Sequence, residues 1–466
     1  MRCVRGSEFM WIAIAALAAL AGPAVPAAPL PNEAALPPAT LLASDDRTFA
    51  HMVGWLENRV RKDPEDFVAY NKLAGAYLQR LRETGDATFL TRGSQAARAS
   101  LATLPAERNR DALNLLAQAE FAAHEFDAAR EHAQRLVRLE PDRAHPYQIL
   151  GDALLELGDY AAAEAAYGQM QQRGGVQEIT QVATHQRLGK MAILRGDLAA
   201  AQRSFTQALL LALARPDPPR ETVAWCRWQL GETAFMRGDY GAAEQHYRDA
   251  LTTFPRYFRA VASLGRVRAA RGDLADAIVQ YEAAVKILPD PSFVAALGDL
   301  YLLSGREREA ARQYDLVEAI ARLSAAGGAL YNRQQALFYA DHGREPEKAY
   351  AMAAREYEVR RDIYGADAVA WTALKAGRVD EARAMIKVAL QLGTQDARLL
   401  YHAAMIANAA SDPMAARDFL QRALALSPGF DPLQSSLAKN LAAASTSPAA
   451  FAAPKATPNG IAAVRP

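Results

Sequence analysis

A fixed spacing of 34 residues constrains this chain more than any other feature. Leu230-Gly231 returns as Leu264-Gly265, Gly238-Asp239 as Gly272-Asp273, and Ala243 as Ala277. Tyr247, Ala250 and Pro255 return at the same interval as Tyr281, Ala284 and Pro289. A unit this short cannot bury an apolar face alone, so it must stack against copies of itself.

The residue types give each unit a local shape. Leu230 and Gly231 belong to a first helix, where glycine admits a second helix at close range. A glycine inside a helix costs about 1 kcal/mol against alanine, which implies a packing need. Gly238 suits the left-handed end of that helix, and Asp239 the cap of the next. Ala243, Tyr247 and Ala250 fall at i, i+4 and i+7, one face of the second helix. Pro255 stops the pair.

This pattern of Leu-Gly, Ala, aromatic, Ala and Pro resembles the tetratricopeptide repeat. Ten units follow when each is indexed by the small residue at the Gly231 place: Ala74, Ala117, Gly151, Gly189, Gly231, Gly265, Gly298, Ala336, Ala370 and Ala404. The longer steps carry turn chemistry, near Gly174-Gly175, at Pro216, Pro218 and Pro219, and at Gly327-Gly328. The stretch Tyr364 to Ile406 is also similar to a C-terminal stretch of other bacterial proteins of this family. The resemblance implies an all-α fold, a right-handed α-α superhelix whose first helices line a concave groove for partner peptides or domains. Asp45 to Pro64 reads as an N-terminal capping helix, and Phe430 to Ala444 as a solvated C-terminal one.

Arg2 and Arg5 precede an apolar run from Met10 to Gly22, with small residues for cleavage near Ala27. This order reads as an export signal, the run being too short for a comfortable membrane span. The expected layout is a signal segment over 1–27 and a linker over 28–44. A solenoid with terminal caps follows over 45–444, then a disordered Ala/Pro-rich tail over 445–466. Loss of 1–27 removes Cys3 and leaves Cys226 as the single thiol, so no intrachain disulfide is expected. The abundance of Arg and Ala suits a bacterial GC-rich gene. The formal net charge of +1 gives no electrostatic footprint for nucleic acid or an anionic membrane. After signal cleavage no integral membrane segment is expected.

No catalytic motif stands out: there is no G-x-S-x-G, no H-E-x-x-H and no phosphate-binding glycine loop. Glu120, His124 and His132 lie close in sequence but lack a spaced third metal ligand, and read as solvated polar positions. No cofactor, metal or catalytic residue is expected. The resemblance implies that binding residues sit early on the first helices, two and five places into each repeat. Those places, and the helix face that continues them, hold Trp225, Trp228, Phe235, Arg259, Arg266, Arg333, Tyr364, Trp371 and Tyr401. Aromatic side chains with Arg have the composition of binding hot spots. The alternative for Trp225 and Trp228 is packing beneath the Pro-rich loop. Glu232 and Arg266, one period apart, can form an ion pair. The Lys and Asn clamp with which some family members hold a C-terminal carboxylate is not matched, since Gly75 stands where Asn is needed.

These features point to a non-enzymatic scaffold in the periplasm or beyond that holds a protein partner. Two alternatives are an envelope or exopolysaccharide assembly or export factor, and an accessory subunit of an exported enzyme.

Overall fold

The glycine-aspartate turn sets the architecture, because it is used almost unchanged along the chain. In the repeat around Gly231, Gly238 sits at φ +72 and the Asp239 amide donates to the Ala234 carbonyl at 3.0 Å, ending the first helix. The Asp239 carboxylate then accepts from the Ala242 amide at 3.0 Å and starts the second. One residue thus closes one helix and opens the next. His124 at φ 63 and Ser411 at φ 59 hold the same left-handed place where sequence offered no glycine.

A computed structural model describes residues 36–42, 46–175, 178–326 and 333–444. The described residues contain 22 helices and no strand. A capping helix α1 (Asp46–Lys62) is followed by ten pairs: α2 (Phe67–Thr84) with α3 (Ala87–Thr103), α4 (Arg110–Ala122) with α5 (Phe126–Leu139), and α6 (His145–Glu156) with α7 (Tyr160–Gly174). Next come α8 (Glu178–Leu194) with α9 (Leu198–Leu213), α10 (Arg220–Met236) with α11 (Tyr240–Thr253), and α12 (Phe258–Ala270) with α13 (Leu274–Ile287). Then follow α14 (Pro291–Leu303) with α15 (Glu307–Ala326), α16 (Arg333–Asp341) with α17 (Pro346–Tyr357), α18 (Ile363–Lys375) with α19 (Val379–Ala389), and α20 (Ala397–Ala409) with α21 (Pro413–Leu426). Helix α22 (Gln434–Ala444) ends the array. All ten small markers lie on first helices.

The chain divides into two units, Met1–Pro37 and Pro38–Pro466. Of the first, only Leu36 and Pro37 are described, without helix or strand. The signal segment, most of the linker, Gly327-Gly328 and the tail lie outside the described residues.

The Leu-Gly pair has a direct packing reason. A Cβ built on Gly231 would come within 2.6 Å of Tyr247 Cδ1, and one on Gly265 within 2.6 Å of Tyr281 Cδ2. Each glycine is flattened against the aromatic ring sixteen residues later in its own repeat. The same pairing holds for Gly151 with Tyr167, Gly189 with Phe205 and Gly298 with Tyr314. Where the marker is alanine, the partner place is aliphatic: Ala133, Met352, Ile386 and Leu420 follow Ala117, Ala336, Ala370 and Ala404. Ala243 and Ala250, on the same face as Tyr247, are fully buried and let the helices touch.

The array also touches itself at long range. The Tyr160 hydroxyl accepts from the Ile363 amide at 2.7 Å, and Arg360 pairs with Glu156 at 2.6 Å. Thr394 donates to the Leu194 carbonyl. The Ser427 hydroxyl donates to the Phe235 carbonyl at 3.1 Å, and the Gly429 amide to the Tyr240 hydroxyl at 2.6 Å. The turns of the third, fourth and fifth repeats therefore pack against the junctions after the eighth, ninth and tenth. Gly85, in the turn of the first repeat, packs likewise against Leu288 after the sixth. A seam joins consecutive superhelical turns. Gly158 is part of it and does more than end a helix. It sits at φ +79, and an added Cβ would also run into the Arg361 carbonyl group.

Candidate functional site

The first helices put one face inward, and the seam closes the space they enclose. A cavity of about 770 Å³ lies within, lined by the end of α8, by α10, α12, α14, α16, α18 and α20, and by the segment 427–437. Along α10 the lining residues are Trp228, Gln229, Glu232, Phe235 and Met236; along α12 they are Arg259, Ala262, Ser263 and Arg266. These intervals of three, four and seven trace a helical stripe.

Paired charges organise the wall. Arg266 holds Glu232 at 2.6 Å, as the one-period spacing predicts, and its guanidinium stacks 4.1 Å from the Phe235 ring centroid. Burial works against the Arg266 charge, but Glu232 outweighs it and the guanidinium is held more firmly protonated than usual. Glu232 also accepts from Tyr247 at 2.7 Å and Ser263 at 2.9 Å. Further along the array, Asp299 accepts from Tyr314 at 2.9 Å and pairs with His342 at 2.7 Å. Asp341 receives Trp371 Nε1 at 2.7 Å, Gln434 Nε2 at 2.7 Å and Arg398 at 2.6 Å. It therefore ties three repeats and the C-terminal cap together. Burial pushes the carboxyls of Asp396 and Asp431 above the usual range.

Seven of the nine candidate binding residues converge on this cavity: Trp228, Phe235, Arg259, Arg266, Tyr364, Trp371 and Tyr401. Trp228 donates its indole N–H to Ser263 at 3.0 Å. Trp225 lies elsewhere, edge-on to Phe205 with centroids 5.8 Å apart, because three helical positions still separate two side chains by about 60°. Arg333 is not a groove residue. It is 8% exposed and held by Asp362 at 2.8 Å and Glu356 at 3.3 Å, an ion cluster at the repeat junction.

Other expectations need correction. Glu120 is not solvated; it is 4% exposed and joined to His132 Nδ1 at 2.6 Å across its helix pair. His124 occupies the turn and stacks on Phe126. Among the described residues no group of three or more His, Cys, Asp or Glu is placed to hold a metal. Burial pushes the Cys226 thiol up to about 12, so its neighbour Arg227 does not activate it. Phe430 is buried beside Tyr401, so the C-terminal cap begins inside the cavity wall rather than in solvent.

Lys375, Asp341, Arg398 and Asp431 were not singled out from sequence. For Lys375 a signal existed: it stands five places after its marker Ala370, as Met236 stands after Gly231. The inner stripe continues to the end of the first helix and does not stop at its first two turns.

Stacked helix pairs that enclose an aromatic and charged inner wall define an α-helical repeat scaffold. Residues 181–256 match one model described as Tetratricopeptide repeat, and residues 114–175, 229–292 and 369–429 match another. The chain belongs to the tetratricopeptide repeat family, whose arrays serve as protein-interaction scaffolds. No curated protein sequence matches it. Solved structures similar to it include a tetratricopeptide repeat protein from Parabacteroides merdae ATCC 43184, at 15% identity and TM-score 0.37 over 53% of this chain and 93% of that one. PilW, a widely conserved type IV pilus biogenesis factor, is 16% identical at TM-score 0.37 over 44% of this chain and 91% of its own. MamA is 23% identical at TM-score 0.30 over 39% and 94%. Likenesses at this level say nothing of what the chain binds.

Proposed function

We propose that the chain is a non-catalytic scaffold of the bacterial cell envelope, exported by its N-terminal segment, that holds a protein partner inside the repeat array. The observation that carries this reading is the convergence of aromatic and Arg side chains from six first helices on one cavity. That composition is typical of binding hot spots. The wall carboxylates are engaged by hydrogen bonds to the wall itself, which favours binding over acid-base chemistry. The charged-then-apolar order before Ala27 supports export. Among the described residues no helix is long and apolar enough to cross a membrane.

The test is a photo-crosslinking amino acid in place of Arg259, inside the cavity, and in place of Arg248, which is exposed on α11. Expressed in the native host, the Arg259 position should label a protein that the Arg248 position does not. Labelling from the outer face alone would overturn the assignment. N-terminal sequencing of the same material should begin near Ala28; a cytosolic chain starting at Met1 would remove the export claim.

A further inference from the structure

The size of the cavity and its uncommitted charges decide what kind of segment it accepts. We infer that the cavity takes an extended peptide segment carrying acidic side chains beside apolar ones, with Lys375 and Arg259 as its two cationic anchors. The inference rests on the protein-binding reading of the same cavity.

Size comes first. The seam contacts of Tyr160, Thr394 and Tyr240 close the array along its side, so the groove is not an open cradle. The cavity, about 770 Å³ and partly open to solvent, lies within the range of small-ligand pockets, about 300–1,000 Å³. A folded domain must present about 800 Å² of its own surface to bind stably, and no such face fits inside. An extended chain does. Its apolar side chains meet rings at several levels, among them Trp228, Phe293 and Phe430.

Charge comes second. The lining holds five carboxylates and four permanent cations, so its net charge is close to zero and long-range attraction selects nothing. What selects is which groups remain uncommitted. Glu232, Asp299 and Asp341 are held by Arg266, His342 and Arg398. Asp396 and Asp431 cap helix N-termini, accepting backbone amides at 2.9–3.1 Å. A basic ligand would have to strip one of these carboxylates from its partner.

Two cations differ. Lys375 has no ion pair among the described residues; its ammonium sits 4.4 Å from the centroid of Trp371. Burial pulls its pKa down, and the charge of Asp341 only partly opposes this. Lys375 is exposed at the cavity wall, and an ammonium resting on a ring still has its oxygen-accepting side open to a ligand. Arg259 is exposed and lies 5.5 Å from the Trp228 centroid and 4.9 Å from that of Phe258. It too has no ion pair among the described residues; Glu221 is the opposing charge it feels, and the Tyr257 hydroxyl is its neutral neighbour. Each cation is therefore presented on an aromatic platform. A carboxylate from the ligand completes either site, while a neighbouring apolar side chain covers the ring edge.

The test uses the full chain and short peptides with blocked termini, so that only side chains carry charge. Three series share alternating Leu and Phe and differ in the intervening residue: Glu, Gln or Lys. Binding is read by calorimetry and by tryptophan fluorescence. The Glu series should bind at least about tenfold more tightly than the Gln series, a difference of about 1.4 kcal/mol, and should weaken with salt. Lys375→Met should remove most of that preference, and Lys375→Arg should keep it. Arg259→Met, at an exposed site that leaves folding intact, should lower affinity for the Glu series alone. Equal binding of the Gln or Lys series, or a Glu preference unchanged in Lys375→Met and Arg259→Met, would overturn the inference while leaving a protein-binding cavity in place. Failure of all three series to bind would also overturn it. A crosslinker in place of Ser292, an exposed and uncharged lining residue, then decides the broader reading independently.

Discussion

Substituting alanine for Gly231 should be strongly destabilising, and a second substitution at Tyr247 should relieve it. The new Cβ would stand 2.6 Å from Tyr247 Cδ1, whereas carbon atoms sit comfortably at about 3.5–4.0 Å. The ring must therefore withdraw by about 1 Å, and it has no room, being fully buried between Ala243 and Ala250. Withdrawal would also break the 2.7 Å bond from its hydroxyl to Glu232. Overpacking of this kind costs about 1–3 kcal/mol, and the upper part of that range applies because the ring is held at both ends. Tyr247→Leu alone should cost about 2 kcal/mol from the vacated volume. In the double variant, the methyl group added at position 231 partly fills the space the ring has left, as in the repeats that pair Ala370 with Ile386 and Ala404 with Leu420. The double variant should then be more stable than the sum of the single effects by about 1–2 kcal/mol. Urea unfolding followed by far-UV circular dichroism measures all four proteins. Strict additivity would refute the claim that glycine is used here to seat the ring.

Three further outcomes follow from the same geometry. Gly272→Ala meets nothing within 4 Å and should cost only the left-handed strain of about 1–2 kcal/mol, whereas Gly158→Ala should cost more because it also strikes the seam at Arg361; equal midpoint losses in urea would argue against the seam. Trp225→Ala should lower the thermal midpoint through lost packing of about 3 kcal/mol without a specific effect on partner binding, while Trp228→Ala should cost about 2 kcal/mol of binding at the crosslinked site, and the reverse ranking would exchange their roles. Burial pulls the His342 imidazole down, but Asp299 outweighs it and leaves the pKa above 6.5. The stabilisation from this pair is complete below about 6.5 and is lost as pH rises through the raised folded value, so the thermal-midpoint advantage over His342→Gln should shrink from weakly acidic to alkaline pH; a constant difference would show that the charge is not involved.

The repeat could be read from the chain because every determinant lies within 34 residues of its partner. Gly231 answers to Tyr247, Asp239 caps its own helix, and Glu232 meets Arg266 through the register of adjacent units. Short-range stacking repeats itself, so one well-read unit carried the fold class, the ten pairs and the inward side of the first helices. It also indicated most of the candidate binding residues, since those share that inward side.

What the sequence by itself determined is therefore the unit and its nearest-neighbour contacts. Only the tertiary structure decided that the array closes on itself. The rotation between neighbouring repeats is small and is set by helix packing rather than by any motif. Summed over several repeats it brings Tyr160 to Ile363 and Tyr240 to Gly429, positions 203 and 189 residues apart. That closure turned an open groove into a bounded cavity, gave Gly158 a second constraint, and set Phe430 and Asp431 into the wall. The same geometry sent Arg333 to a junction and Trp225 to Phe205, since a side chain's place on the inner stripe depends on helix rotation angles that residue type does not encode.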